Sequence, residues 1–103
     1  KELLEFRMKL IFEEVQELAE VGLTLEGKLD TEERHVLMQD FLKEMCDVVY
    51  VIEGTAVSFG MDFLKAYDLV HKSNMSKFPI TKDDSGKVMK GKNYKPPVLE
   101  ECV

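Results

Sequence analysis

The sequence predicts an all-α fold: a helical bundle of about three helices per chain, completed by oligomerisation, with a small C-terminal hairpin or loop. Three observations predict it. Apolar residues recur at helical spacing along two long stretches, residues 1–21 and 30–58. Capping residues stand where helices should open, at Asp30, Thr31 and Asp62. All three prolines and a DDSG turn signal fall within residues 78–103.

The first helix is expected from the start of the chain to about Ala19–Val21, with Gly22 as its stop. Leu4, Met8, Ile11, Val15 and Leu18 form its apolar stripe, with Leu3 and Leu10 on one shoulder. GLTLEGKLD then reads as a connection. Asp30 followed by Glu33 offers a D-x-x-E cap for a second helix, and Thr31 is an alternative cap. That helix carries Phe41, Met45, Val48, Val49, Ile52, Ala56 and Phe59 at helical spacing, continues to about Ser58, and is ended by Gly60. Asp62 caps a third helix through Leu64, Tyr67 and Val70, ending near Ser76–Lys77. The second helix would be roughly 42 Å long, too long for two short neighbours to cover. Its stripe is expected to meet a second copy, giving a homodimer or homotetramer.

The 103 residues are read as one domain, and helical character begins at once at Lys1, so further N-terminal residues are expected in the natural protein. No apolar run approaches a membrane span and no signal-peptide pattern is present. The two cysteines make no disulfide framework; Cys46 is expected packed within its helix and Cys102 frayed near the end, which fits a reducing cytoplasm. A net charge of −6 argues against nucleic acid or a membrane surface as partner. Residues 1–71 balance to −9, while residues 72–103 balance to +3. An acidic body with a basic tail suits a ligand that combines metal ions with phosphates, although lysines also simply solubilise irregular tails.

Two acidic pairs carry the functional argument. Glu14 and Glu17 lie i, i+3 in EEVQE, and Glu44 and Asp47 lie i, i+3 in EMCD, so each pair occupies one helix face. Glu14 falls between Leu10 and Leu18, inside the apolar stripe, where an unpartnered carboxylate costs several kcal/mol or stays protonated. Three compensations are open. Arg7, on the same face two turns earlier, offers an ion pair. A di-iron or di-manganese bundle would use inward glutamates, but wants Glu-x-x-His where this chain has Glu44 and Asp47. A cluster of hard divalent ions such as Mg²⁺, Mn²⁺ or Ca²⁺ suits an oxygen-only donor set, which fits zinc or copper less well.

These residues resemble the EExxE…ExxD signature of the all-α nucleoside triphosphate pyrophosphatases, the superfamily of MazG and phosphoribosyl-ATP pyrophosphatase. RMKLIFEEVQEL, DVVYVIEGTAVSFGMD, VHKSNMSKF and GKVMKGKNYKPPVL are each similar to segments of MazG-like proteins, so the resemblance spans nearly the whole chain. It implies hydrolysis of a nucleoside triphosphate, expected to be a (d)NTP in nucleotide-pool sanitation, to a monophosphate and pyrophosphate. The alternatives are phosphoribosyl-ATP hydrolysis in histidine synthesis and a non-catalytic helical interaction module. By similarity, Glu14, Glu17, Glu44 and Asp47 are the metal ligands. Glu13 is an added ion ligand or the general base. Lys77 is expected on phosphate and Asn74 near the base or sugar, while Lys90, Lys92 and Tyr94 close the tail over the phosphates. His71 is placed outside the site.

Overall fold

The structure is a computed structural model that describes residues 1–27 and 30–103; part of the expected connection, at residues 28–29, lies outside the described residues. Three helices, α1 (Glu2–Glu26), α2 (Thr31–Ser58) and α3 (Phe63–Met75), precede a two-stranded hairpin of β1 (Thr81–Lys82) and β2 (Val88–Met89). A 3₁₀ turn at Glu100–Cys102 ends the chain. The all-α class and the small C-terminal hairpin are as the sequence predicts. None of the described helices is long and apolar enough to cross a membrane. Two compact units divide the molecule, Lys1–Ser58 and Phe59–Val103.

In the first unit α1 packs along α2. Leu10, Ile11, Glu14, Leu18, Val21 and Leu25 of α1 are half-buried or buried, at the three- and four-residue spacing of one helix face. This corrects the expected stripe: Leu4 (50% exposed) and Val15 (44%) are open to solvent. The choice between two adjacent apolar stripes is made by the neighbour, not by the helix itself. On α2, Phe41, Glu44, Val48, Val51 and Ile52 are half-buried, whereas Met45 and Val49 are exposed.

The expected stop at Gly22 is also corrected, because α1 continues to Glu26 with Gly27 as its C-cap. A glycine inside a helix costs about 1 kcal/mol relative to alanine, but here its bare backbone faces a ring. A Cβ at position 22 would lie 3.4 Å from Phe41 Cε1. The extra turn buries Leu25. Packing thus overrides a local breaker.

Arg7 ties the helices at their other end. Its Nε donates to Thr55 Oγ1 at 3.1 Å and its Nη2 donates to the Val51 carbonyl at 3.0 Å. At the start of α2, Asp30 is the cap: its Oδ1 accepts from Glu33 N at 2.9 Å and its carbonyl from Arg34 N at 2.8 Å.

In the second unit Asp62 Oδ1 caps α3 by accepting from Lys65 N at 3.1 Å. The hairpin pairs Thr81 with Met89 and Lys82 with Val88. Asp83 Oδ1 organises its turn, accepting from Ser85 N, Ser85 Oγ and Lys87 N. The buried Ser73 donates to the Lys95 carbonyl at 2.7 Å, and Lys95 N donates to Ser76 Oγ, which pins the tail to α3. Both cysteine expectations are reversed. Cys46 is exposed, while Cys102 is buried and its carbonyl accepts from Asp62 N at 2.8 Å. A 3₁₀ turn held against α3 leaves no frayed end there.

Candidate active site

Because α1 and α2 run side by side with Glu14 and Glu44 on their half-buried faces, acids from both helices converge. Carboxylate oxygens of Glu14, Glu17 and Glu44 all lie within 4.8 Å of one another. Glu14 Oε2 and Glu44 Oε2 are buried and have no hydrogen-bond partner. Such orphaned anionic oxygens are rare in folded proteins and call for a counter-charge. Loss of solvent raises the Glu14 pKa first, and the negative charges of Glu17, Asp47 and Glu44 raise it further.

Asp47 stands outside this trio. Its Oδ2 accepts from Lys43 Nζ at 2.7 Å, and the same ammonium lies 3.3 Å from Glu44 Oε1. The two carboxylates, Asp47 foremost, push the Lys43 pKa up. The ion pair between Arg7 and Glu14 is not formed among the described residues, since the guanidinium is spent on Thr55 and the Val51 carbonyl. Lys43 is the site residue that sequence reading missed. Its signal was present, because a lysine four residues before an aspartate on a helix meets it one turn on.

Glu13 is exposed and lines a hollow of about 580 Å³ with Leu4, Met8, Lys9 and Phe12, apart from the trio. The remaining expected residues belong to the second unit. Lys77 Nζ and Lys90 Nζ lie 5.7 and 4.4 Å from the centre of the Tyr94 ring, so one aromatic ring gathers two ammonium groups. Gly91 sets this arrangement, donating its N–H to the Lys77 carbonyl at 2.9 Å and accepting from Tyr94 N at 3.1 Å. The Asn74 carbonyl, in the last turn of α3, accepts from Lys77 N at 3.1 Å. Lys92 and His71 are exposed.

The donor set of the trio is oxygen only, with one buried unpartnered oxygen on each of two helices. That chemistry fits a hard divalent cation, and the absence of imidazole and thiolate from the trio fits zinc and copper poorly. Fold and site together describe a helical protein with an oxygen-only carboxylate cluster on two packed helices, features that the resemblance to the all-α nucleoside triphosphate pyrophosphatases implies. The family model for phosphoribosyl-ATP pyrophosphohydrolase matches residues 1–74, and the chain belongs to that family, which shares this superfamily with MazG. It is accordingly a hydrolase of the pyrophosphohydrolase type. The match covers Glu14, Glu17, Glu44 and Asp47 and ends at Asn74, before Lys77, Lys90 and Tyr94. No curated protein matched the chain.

Proposed function

We propose that this chain is a Mg²⁺-dependent nucleotide pyrophosphohydrolase, with Mn²⁺ as a substitute ion, and that phosphoribosyl-ATP is its substrate. The site observation that carries the metal-dependent reading is the pair of orphaned oxygens on Glu14 and Glu44 within the three-carboxylate group. Family membership carries the choice of substrate, and it reverses the order of the sequence reading, which put (d)NTPs first.

Glu14, Glu17, Glu44 and Asp47 would hold the cation. When bound, a divalent ion neutralises phosphate oxygens and makes a neighbouring water more acidic. Water adds to the α-phosphorus, the bond from that phosphorus to the α–β bridging oxygen breaks, and pyrophosphate departs with the bridging oxygen. Glu13 is assigned the proton of the attacking water. Lys77 and Lys90, gathered on Tyr94, would neutralise the polyphosphate, and Asn74 would contact base or sugar. Without cations, acids of the first unit would repel so anionic a substrate.

A second reading, (d)NTP hydrolysis in pool sanitation, is favoured by one specific observation. The SNMSK segment and the lysine-rich tail resemble MazG-like proteins, and residues 75–103 lie beyond the matched part of the chain. Pyrophosphate release from phosphoribosyl-ATP and from each common (d)NTP, with and without Mg²⁺, separates the two. Turnover of phosphoribosyl-ATP alone supports the first reading. Turnover of (d)NTPs with none of phosphoribosyl-ATP overturns it. No Mg²⁺-dependent turnover of any of them, in a folded protein, would favour the interaction-module alternative.

The active form is proposed to be a homodimer or homotetramer. Leu4, Phe12 and Val15 on α1 and Val49 and Tyr50 on α2 are exposed, with Phe12 at 65% and Tyr50 at 79%. Among the described residues of the first unit only Leu25 and Ala56 are buried hydrophobics, which is little core for two long helices. Light scattering should give a mass of two or four chains, and Phe12→Glu should lower it. A wild-type monomer at micromolar concentration contradicts this.

A further inference from the structure

We propose that Lys43 is a tethered counter-ion: it holds Asp47 away from the Glu14–Glu17–Glu44 trio, and an incoming divalent cation must exchange with it to recruit Asp47. This rests on the metal-centre reading above and adds a residue to it. Of the four acids, the one outside the 4.8 Å group is the one held most closely by an ammonium, at 2.7 Å. The same ammonium touches Glu44 through Oε1 only, at 3.3 Å, while Glu44 Oε2 is left buried and unpartnered. Lys43 therefore neutralises the rim of the cluster and leaves its interior open.

The two partners differ in how easily they release each other. The Lys43 side chain is 65% exposed and that of Asp47, the partner it must release, 36%. An ammonium on a flexible stem at the surface returns to water at small cost, because exposed ion pairs are weak. A divalent ion places twice the charge among the same oxygens and has the unpartnered ones to itself. Exchange is thus downhill once the cation is abundant, yet Lys43 sets the concentration at which it occurs. In the cation-free protein it limits repulsion between Asp47 and the trio. In the cation-loaded protein the freed ammonium sits beside the centre, where an anionic substrate is expected.

A double-mutant cycle on the full nucleotide-free chain tests this, with Mn²⁺ alone as probe and its free concentration read by electron paramagnetic resonance. Lys43→Met should tighten Mn²⁺ binding by about two- to fivefold, the range expected from removing one exposed ion-pair competitor. In an Asp47→Asn background the same substitution should change binding by less than about twofold, because the competitor then has no tie to break. Lys43→Arg, which keeps the charge and the pair, should bind no more tightly than wild type. Unchanged or weaker binding in Lys43→Met overturns the proposal, as does equal tightening in both backgrounds, which would mark a general field effect. Loss of Mn²⁺ binding in Glu44→Gln with no effect of Lys43→Met sinks the proposal and leaves the metal centre standing. A wild type that binds no Mn²⁺ removes both.

Discussion

Glu14 on α1 and Glu44 on α2 bring carboxylate oxygens to within 4.8 Å of each other, and each also has an Oε2 that is buried with no hydrogen-bond partner. Two like charges so placed destabilise the fold that holds them unless a proton or a cation intervenes. The consequence is readable in the metal-free protein. Glu14 has its pKa raised above the ordinary 4.5, by lost solvent first and by Glu17, Asp47 and Glu44 next. Between that ordinary value and the raised one, the folded chain binds more protons than the unfolded chain. Its contribution to stability therefore falls as pH climbs through this window. Glu14→Gln should raise the melting temperature of the chelator-treated protein at neutral pH, and the gain should shrink as pH drops toward 4.5. Thermal denaturation in chelator across that range checks it; a destabilised Glu14→Gln at neutral pH contradicts it.

Catalysis should respond in the opposite sense. Glu44→Gln and Asp47→Asn keep shape but remove ligand charge, and several kcal/mol of transition-state stabilisation is at stake. Each should lower kcat/KM by on the order of 10²-fold or more. Glu13→Gln, exposed and apart from the trio, should lower kcat with unchanged Mn²⁺ affinity if it takes the proton of the attacking water. Steady-state kinetics beside Mn²⁺ titration separates the two classes of acid.

Gly22 offers a stability test with a change of sign. A single methyl at this position meets Phe41 Cε1 at 3.4 Å, an ordinary contact. Gly22→Ala should therefore stabilise the chain by about 0.5–1 kcal/mol through helix propensity. Gly22→Leu must displace the Phe41 ring and should destabilise by about 1–3 kcal/mol. Urea unfolding of the two variants against wild type measures both.

Gly91 is the less forgiving glycine. A Cβ there would overlap the Pro79 carbonyl oxygen and fall 2.6 Å from that of Lys77, both backbone atoms. Gly91→Ala must open the base of the hairpin, at a cost of about 1–3 kcal/mol. The Gly91 and Tyr94 amides should lose hydrogen-exchange protection, and KM should rise more than kcat falls as Lys77 and Lys90 lose their common ring. Unaltered exchange at both amides would contradict the account.

What could be read in the chain follows a physical divide. Local signals held: Asp30 and Asp62 accept from the amides three residues on, and the DDSG segment turns about the Asp83 carboxylate. Capping and turn chemistry depend on near neighbours only. Signals that depend on a tertiary partner were misread. Gly22 reads as a stop until Phe41 lies against it, and Leu4 and Val15 read as core until α2 takes the adjacent face. Cys46 and Cys102 exchange environments for the same reason. At the site, the i, i+3 spacing was enough to expect Glu14 and Glu44 to face each other. The pull of Lys43 on Asp47 needed rotamers, which spacing does not supply.

Mn²⁺ titration of the nucleotide-free protein by calorimetry tests the central claim most directly. Saturable binding in the wild type, weakened at least tenfold by both Glu14→Gln and Glu44→Gln, is the expected result. Binding that ignores both substitutions, or a folded wild type with no saturable site, would show that these oxygens hold no cation and would remove the basis of the proposed chemistry.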